Sequence, residues 1–358
     1  IVRGFLYGVI LITKQDFMDL AFKLALKGKG KTWTNPLVGA VIVKNGEILA
    51  TGYHHQFGKE HAEIDALNRL ENINAAFGAT MYVSMEPCSH FGKTPPCATR
   101  LVEVGIKKVV IGQLDPNPLV SGKGVSILKN AGIEVTNLNL KLPENLKYNF
   151  YYNRGRPYIT VKYAMTLDGK INRQSNLRSF ITGNEVFADS QQLRLTNQAI
   201  LVGENTALTD NPSLSVRNIN TPYQPWRVVV ANNADQLSNN LKIFQDHLKT
   251  IVLSRTVSKK RWPKGINIVI DSKWNPKKIA EYLAKIGVQS LLIEGGSHLH
   301  AEFIASNLVD EIIVYVAPKI FGGQGLPAVQ GKAAQSSNFQ LVSREFIGLD
   351  TKFKLRRM

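Results

Sequence analysis

The sequence predicts an α/β protein made of two different domains. Apolar runs of strand length alternate with amphipathic helical segments along most of the chain, which is typical of layered α/β folds. The chain has 358 residues, more than one ordinary core accommodates. No internal repeat relates the halves, so we expect distinct domains over 14–145 and 158–358, a connection over 146–157 and an additional N-terminal segment over 1–13.

The first half is expected to form a sheet layered between helices, an α/β/α arrangement. Two apolar runs within 39–53 flank Asn45-Gly46, a dipeptide that favours a tight turn between antiparallel strands. Pro95-Pro96 precedes a helical segment, and proline is tolerated at the start of a helix. The predicted helices are 16–26, 61–70, 97–104 and 125–131, and the remaining predicted strands are 80–85 and 108–112.

A second alternating series follows the connection. The apolar run 291–293 leads into Glu294-Gly295-Gly296-Ser297 and then a helix, a turn whose backbone N–H groups suit a phosphate. An ordinary glycine turn is an equal alternative, and the spacing is not the G-x-G-x-x-G fingerprint of a Rossmann domain. The predicted strands are 158–164, 199–202, 227–230, 250–253, 266–270, 291–293 and 311–316, and the predicted helices are 185–195, 277–286 and 300–306.

His61, Cys88 and Cys97 form the most informative group of residues in the chain. A neutral imidazole and two thiolates bind Zn²⁺ tightly and leave its fourth tetrahedral position for water. Glu63 is two residues beyond His61, close enough to carry protons between that water and a departing amine without binding the metal. His-x-Glu followed by Pro-Cys is the pattern of zinc deaminases. The sequence therefore predicts one zinc ion per chain with Glu63 as the catalytic residue.

Each part of this pattern has a simpler interpretation when it stands alone. His-x-Glu occurs by chance, and an isolated buried cysteine is usually a small core residue. The two cysteines are, however, the only ones in the chain, and both follow the His-x-Glu segment. They are separated by eight residues, whereas a Cys-x-x-Cys pattern has two. Two cysteines without a disulfide framework also favour a reducing, cytoplasmic compartment.

The composition is strongly basic, since 44 Lys and Arg against 27 Asp and Glu give a net charge of +17. A zinc-dependent nucleic-acid deaminase with a basic accessory domain is therefore the alternative function. The sequence has neither a Lys/Arg run nor the interleaved aromatic strip of such proteins, and the charge also suits a phosphorylated small molecule. A zinc-stabilised binding protein that does not need Glu63 is a third possibility. The apolar run 5–12 is too short for a membrane span and has no signal-peptide cleavage site.

The motifs around these residues resemble one known family, the bifunctional riboflavin-biosynthesis deaminase/reductase. Residues 86–97 reproduce its long zinc motif, Glu-Pro-Cys-Ser-His-x-Gly-x-Thr-Pro-Pro-Cys, and the resemblance extends from about residue 14 to the end. It implies a cytidine-deaminase-like α/β/α domain followed by a dihydrofolate-reductase-like α/β domain that binds NADPH. The further matching motifs are Asn35-Pro36-Leu37-Val38-Gly39, Asp115-Pro116-Asn117-Pro118, Gly122-Lys123-Gly124 and, over 162–169, Lys-Tyr-Ala-Met-Thr-Leu-Asp-Gly.

The resemblance implies two consecutive reactions of riboflavin biosynthesis. The first hydrolyses the 2-amino group of a diamino-ribosylamino-pyrimidinone 5′-phosphate, and the second uses NADPH to reduce the ribosyl group of the product to ribityl. The expected partner is thus a small phosphorylated pyrimidine, with neither nucleic acid nor membrane. Self-association into a homo-oligomer is left open.

The family's sites carry over to this chain residue by residue. NADPH contacts are implied at Ala164, Phe180, Thr206, Asp210, Gly296, Ser297, His298, Leu299, His300, Ala301 and Glu302. Substrate contacts are implied at Lys162, Arg178, Arg194, Leu214, Arg217 and Glu294 in the reductase, and at Asn35, His54, His90, Lys93, Asp115 and Asn117 in the deaminase. Arg194 and Arg217 suit the ribose phosphate, because a guanidinium is a planar fork of donors. Arg178 and Phe180 stand where the family usually has Ser and Trp, and Phe lacks the indole N–H donor.

Overall fold

The protein is represented by a computed structural model that describes residues 13–89, 95–174, 179–331 and 337–358. It comprises two compact units, and the division between them falls after Asn153. Both units alternate strands and helices, so the predicted α/β class is confirmed. Among the described residues, no helix has the length and apolarity needed to cross a membrane.

The first unit is built on one mixed sheet with the strand order β2-β1-β3-β4-β5. Strand β1 pairs antiparallel with β2 and with β3, whereas β3, β4 and β5 run parallel. The strands are β1 (Gly39–Lys44), β2 (Glu47–Tyr53), β3 (Thr80–Met85), β4 (Lys108–Gln113) and β5 (Glu134–Asn137). The helices are α1 (Lys14–Ala25), α2 (Ala62–Asn68), α3 (Cys97–Glu103), α4 (Lys123–Asn130) and α5 (Leu146–Arg154), the last of which ends at the division.

Local sequence explains how the helices of this unit begin and how closely they pack. Thr13 and Asp16 form a reciprocal capping box that starts α1 two residues before the predicted position. Gly52 lets α2 lie directly on β2, because a Cβ there would come 2.3 Å from the backbone nitrogen of Ala66. His61 is the N-cap residue of α2.

Most of the segment that we expected to connect the domains, 146–157, is helix α5. Two of its side chains are buried against the loop after β4. The Tyr148 hydroxyl donates to Asp115 at 2.9 Å, and the side-chain amides of Asn149 and Gln113 pair with each other. These buried polar contacts, which the sequence pattern does not show, hold the helix in the first unit.

The second unit contains a larger sheet with the order β11-β10-β9-β8-β12-β6-β13-β16-β15 and a short separate ribbon, β14-β7. The strands are β6 (Tyr158–Thr166), β7 (Lys170–Asn172), β8 (Ala199–Gly203), β9 (Trp226–Ala231), β10 (Thr250–Ser254), β11 (Ile266–Ile270), β12 (Ser290–Gly295), β13 (Glu311–Ala317), β14 (Leu326–Pro327), β15 (Phe339–Ile347) and β16 (Asp350–Arg357). The helices are α6 (Asn184–Leu195), α7 (Glu204–Asp210), α8 (Pro276–Lys285) and α9 (Ser297–Ala305).

Parallel strands from β11 to β13 give this sheet one common carboxyl edge. Ligands of open α/β sheets bind at that edge. The apolar runs predicted the strands of this parallel set, whereas α7 and the hairpin β15-β16 were not predicted. Helix α9 begins at Ser297, directly after the glycine pair, and not at residue 300 as expected.

Candidate active sites in the two units

The three predicted metal ligands converge in the first unit. The ligand atoms of His61, Cys88 and Cys97 all lie within 4.8 Å of one another, and His61 Nδ1 is 3.4 Å from Cys97 Sγ. A tetrahedral zinc site with usual bond lengths requires a nitrogen–sulfur separation of about 3.6 Å. The donor set and its spacing therefore fit one zinc ion, as predicted.

The elements around the cluster explain how distant residues come together. His61 precedes α2, Cys88 lies in the loop after β3, and Cys97 is the first residue of α3. The backbone N–H of Cys97 donates to Cys88 Sγ at 3.3 Å, which places that sulfur at the positive end of α3. The starts of α2 and α3, which the sequence predicts, thus position His61 and Cys97.

The ligands also constrain one another's protonation. Hydrogen bonding from Cys97, together with the neighbouring His61, lowers the pKa of Cys88, whereas the pKa of Cys97 is raised by its hydrogen bond to Cys88 and by burial. A hydrogen bond with Cys88 raises the pKa of His61 to about 9. Zinc takes neutral imidazole and thiolate, so zinc binding here displaces protons.

Glu63 is 3% exposed and lies in the first turn of α2 beside the cluster. Burial raises the pKa of its carboxyl to about 7, although the positive charge of His61 opposes the shift. A carboxyl with a pKa near neutrality is suited to both accepting and returning a proton. The structure therefore brings the predicted catalytic residue to the metal ligands.

His54 and Asn35 form a hydrogen-bonded pair beside this cluster. His54 is buried, and its Nδ1 lies 2.8 Å from the carbonyl oxygen of Glu60, which requires Nδ1 to carry the proton and donate it. Nε2 then accepts from the Asn35 amide nitrogen at 3.1 Å. This orients the Asn35 side chain and leaves its carbonyl oxygen as an acceptor for a ligand. Burial lowers the pKa of His54 to about 4, so the ring remains neutral at neutral pH.

Asp115 and Asn117 act within the loop after β4. Asp115 Oδ1 accepts from the backbone N–H of Asn117 and from the Tyr148 hydroxyl, both at 2.9 Å, while Asn117 Oδ1 accepts from the backbone N–H of Leu119. These bonds shape the loop.

Glu86 is a functional candidate to which the sequence analysis assigned no role. Its buried carboxylate accepts backbone N–H groups of Asp115, Gly122 and Val125 at 3.2, 3.0 and 3.0 Å. It therefore ties the start of the Cys88 loop to the loop after β4 and to α4. The only signal for this role was its place at the head of the zinc motif. His90, Lys93 and Arg178, which the sequence analysis assigned to substrate, lie outside the described residues.

The second unit has a cavity of about 1020 Å³ at the carboxyl edge of its sheet. This is at the upper end of the usual range for ligand pockets, about 300 to 1,000 Å³. Of the implied cofactor contacts, the residues that line it are Ala164, Phe180, Thr206, Asp210, Gly296, Ser297, His298, Leu299, His300 and Glu302. Of the implied substrate contacts, the residues that line it are Lys162, Arg194, Arg217 and Glu294.

Leu214 and Ala301 do not line this cavity. Leu214 is 1% exposed and packs in the core below the sheet edge, with a positive φ of 51°. Ala301 lies on α9, near Gly331.

Arg194 and Glu294 form a buried bidentate ion pair on the cavity wall, with distances of 2.8 and 2.6 Å. A further N–H of Arg194 donates to the carbonyl oxygen of Ser215 at 3.0 Å. Burial opposes ionisation of Glu294, but the Arg194 charge and hydrogen bonds lower its pKa overall. The guanidinium fork of Arg194 already pairs with a carboxylate, so a substrate phosphate would compete with Glu294 for it.

The other two predicted cations that line the cavity are Arg217 and Lys162. Arg217 is exposed, its guanidinium lies 4.9 Å from the centre of the Phe187 ring, and its charge helps to lower the pKa of Glu294. Lys162, on β6, lies 5.6 Å from the centre of the Tyr315 ring. Burial lowers the pKa of Lys162 although Glu294 opposes the shift, which makes its ammonium group a better proton donor.

The glycine turn before α9 lines the cavity, as a phosphate site there requires. Gly296 has a φ of +93°, and a Cβ at Gly295 would lie 2.9 Å from Thr206 Cγ2. His300 is 1% exposed; its Nδ1 donates to the carbonyl oxygen of Ala328, and its Nε2 has no hydrogen-bond partner among the described residues. Burial lowers the pKa of His300 to about 4, so Nε2 is an acceptor that a ligand in the cavity can satisfy. These features fit a dinucleotide cofactor.

Several residues that line the same cavity escaped the sequence analysis. Three of them stand directly after the carboxyl end of a parallel strand: Glu204 follows β8, Asn232 follows β9 and Arg255 follows β10. The available signal was position alone, since residues after the carboxyl ends of such strands border ligand sites.

Comparisons with known proteins match both halves of the chain. Residues 11–113 match the cytidine and deoxycytidylate deaminase zinc-binding region, and residues 157–353 match the RibD C-terminal domain. The riboflavin biosynthesis protein RibD of Aquifex aeolicus is 40% identical over 314 residues, which cover 86% of this chain and 88% of that protein. RibD of Actinobacillus pleuropneumoniae is 40% identical over 357 residues, covering 95% and 94%.

Solved structures give the same result. Acinetobacter baumannii RibD aligns with a TM-score of 0.88 at 34% identity, covering 96% of this chain and 98% of that chain. The diaminohydroxyphosphoribosylaminopyrimidine deaminase/5-amino-6-(5-phosphoribosylamino)uracil reductase of Thermotoga maritima aligns with a TM-score of 0.84 at 35% identity and the same coverage. The cytidine-deaminase-like and dihydrofolate-reductase-like folds expected from the motifs are thereby confirmed.

Proposed function

Because the chain belongs to the RibD family of riboflavin biosynthesis proteins, it is a bifunctional deaminase and reductase, and we propose that each unit performs one of the two reactions. The observation that carries this division is the cluster of His61, Cys88 and Cys97 with buried Glu63 in the first unit. The cavity in the second unit supports the other half. Zinc and NADPH are the cofactors of these two domains. A nucleic-acid deaminase is not favoured, because the second half is a reductase domain and not a basic accessory domain.

The first unit acts on 2,5-diamino-6-ribosylamino-4(3H)-pyrimidinone 5′-phosphate and releases its 2-amino group as ammonia. Zinc held by the cluster supplies a Lewis acid that lowers the pKa of water to about 7. Glu63 takes a proton from the attacking water and returns it to the leaving nitrogen. Asn35, oriented by His54, accepts a hydrogen bond from the pyrimidine. Glu86 holds together the loops that surround the ring.

The second unit acts on 5-amino-6-(5-phosphoribosylamino)uracil and reduces its ribosyl group to ribityl. NADPH supplies the hydride. The sugar ring has to open before its anomeric carbon can be reduced, and Lys162 is the residue we assign to hold the proton at the ring oxygen. Its lowered pKa favours that role, while the Arg194–Glu294 pair fixes the wall beside it. Arg217, on the exposed side of the cavity, is the better placed of the two arginines for the substrate phosphate.

Two assays on the purified, zinc-loaded chain test this function. The free diamino-pyrimidine nucleotide is supplied first and ammonia is measured; the deaminated product is then supplied with NADPH, and the loss of absorbance of NADPH is followed. Both reactions are expected to proceed. Ammonia release from single-stranded nucleic acid, with none from the free nucleotide, would contradict the proposal in favour of the nucleic-acid deaminase.

Arg217→Ala is expected to raise the KM for the deaminated substrate about 10- to 100-fold with a smaller change in kcat. A hydrogen bond to a charged group contributes about 1.5 to 3 kcal/mol, and this arginine is assigned to bind the phosphate in both the ground and transition states. Steady-state kinetics at saturating NADPH measure the change. Arg344→Ala, which removes an exposed guanidinium from β15, serves as the matched control. An unchanged KM in Arg217→Ala contradicts the assignment.

A cytoplasmic location is part of the proposal, supported by the chemistry of the metal ligands. Both cysteines are free and belong to the zinc cluster, and thiols persist in a reducing compartment. Self-association remains a prediction, which sedimentation of the purified chain tests.

A further inference from the structure

The cavity of the second unit extends well beyond the residues assigned to substrate and nicotinamide. Glu204 follows β8, Asn232 follows β9 and Arg255 follows β10, and all three line the cavity. None of them belongs to the predicted site. They lie at the end of the cavity opposite Lys162 on β6.

The sheet order sets the distance between the two ends. Between β6 and β10 lie β12, β8 and β9, so four inter-strand spacings of about 4.8 Å separate them, roughly 19 Å. The glycine turn before α9, suited to phosphate, follows β12 and lies between the two ends. With the nicotinamide near β6 and the diphosphate at this turn, an extended dinucleotide places its adenosine ribose near β8 to β10.

Arg255 is held there in a fixed orientation. One terminal nitrogen donates to Asn232 Oδ1 at 2.7 Å and the other to the carbonyl oxygen of Trp274 at 3.0 Å. Arginine carries five N–H donors in a planar fork. Two of these donors of Arg255 form hydrogen bonds with described residues. No carboxylate among the described residues pairs with Arg255, whereas Glu294 pairs with Arg194.

A second observation points to a ligand at this end of the cavity. Glu204 Oε2 accepts the backbone N–H of Asn232 at 2.9 Å, while Glu204 Oε1 is buried and has no hydrogen-bond partner among the described residues. A buried acceptor without a donor is destabilising, because it has lost its hydrogen bonds to water. A sugar hydroxyl is a donor of suitable size, and it would lie beside the guanidinium of Arg255.

We propose that Arg255 binds the 2′-phosphate on the adenosine ribose of the cofactor and thereby selects NADPH over NADH. The inference deepens the proposed function, on which it rests, by naming a specificity-determining residue. A guanidinium pairs with a phosphate through charge-assisted, bidentate hydrogen bonds, whereas the 2′-hydroxyl of NADH offers neither the charge nor the second oxygen. Loss of Arg255 is therefore expected to weaken the binding of NADPH and to leave the binding of NADH unchanged.

A binding experiment tests the assignment without requiring turnover. The full-length, zinc-loaded protein is titrated calorimetrically with adenosine 2′,5′-bisphosphate and with 5′-AMP. The two ligands differ only in the 2′-phosphate on the ribose, so their affinities compare binding with and without that group. The wild-type protein is expected to bind the bisphosphate at least tenfold more tightly. Arg255→Ala is expected to lose at least tenfold affinity for the bisphosphate, about 1.4 kcal/mol, and to bind 5′-AMP as the wild type does.

Two further variants exclude indirect effects. Arg261→Ala removes an exposed guanidinium from the same loop, outside the cavity lining, and is expected to behave as the wild type. Arg255→Lys keeps the charge and is expected to retain part of the preference, even if the alanine variant does not fold. Equal affinity of the wild type for the two ligands, or equal loss for both in Arg255→Ala, overturns the proposal.

Steady-state reduction supplies the functional readout. In Arg255→Ala the ratio of kcat/KM for NADPH to that for NADH is expected to fall at least tenfold, and an unchanged ratio overturns the proposal. If the wild type oxidises neither cofactor with the deaminated substrate, the proposed reductase function fails. The titration still decides the role of Arg255 in that case, so the two failures are distinguishable.

Discussion

Replacing Glu63 with glutamine is expected to abolish ammonia release while zinc, fold and NADPH oxidation remain. The amide is nearly isosteric with the carboxyl, but it cannot accept the proton of the attacking water or return it to the leaving nitrogen. One general acid or base contributes about 10² to 10⁴ in rate, and the loss will exceed this range if Glu63 serves both transfers. The side chain is buried beside the three ligands, so no bulk water substitutes for it efficiently.

The measurement compares ammonia release, zinc content and NADPH oxidation in the same preparation of Glu63→Gln. Glu71→Gln makes the same chemical change at an exposed position beyond the end of α2 and is the matched control. Near-normal ammonia release by Glu63→Gln refutes the proton-transfer role. Loss of zinc or of both activities indicates instead that the substitution disturbs the metal site or the fold.

Cys97→Ser is expected to reduce bound zinc from about one per chain to a small fraction and to remove deamination with it. A serine hydroxyl does not ionise near neutral pH, so one of three protein ligands is lost. The loss of an outer-shell partner already costs about 10- to 100-fold in metal affinity or activity, and a direct ligand contributes more. The reductase is expected to keep its activity, because its cavity is formed within the second unit.

Elemental analysis after gel filtration decides the zinc content, and the ammonia assay with and without added zinc decides the function. A chelator applied to the wild type should produce the same pattern, with deamination lost and NADPH oxidation kept. Unchanged zinc in Cys97→Ser contradicts the ligand assignment. Recovery of ammonia release in the variant at high zinc concentration is expected, because two ligands and Glu63 remain.

Much of the fold was predictable because alternation is a local property of the chain. Most parallel strands of the second unit are short apolar runs buried on both faces, so their positions were recognisable without the tertiary structure. The hairpin β15-β16 escaped because its side chains are mostly exposed or half-buried and lack a continuous apolar run. Helix α5 escaped because buried polar contacts hold it and no apolar stripe marks it.

For the active sites, the sequence by itself was enough to predict which groups perform the chemistry in the first unit. Histidine, cysteine and glutamate are few and chemically specific, so their identity and order were enough to predict the zinc ligands and Glu63. Only the tertiary structure shows which cations of the second unit line its cavity and which of them already pair with a carboxylate. Arg194 and Arg255 are the same residue type, yet a buried carboxylate occupies one, while the other lies at the cavity end with donors to spare. A guanidinium acquires its role from the charge placed beside it, and that neighbour is set by strands remote in sequence.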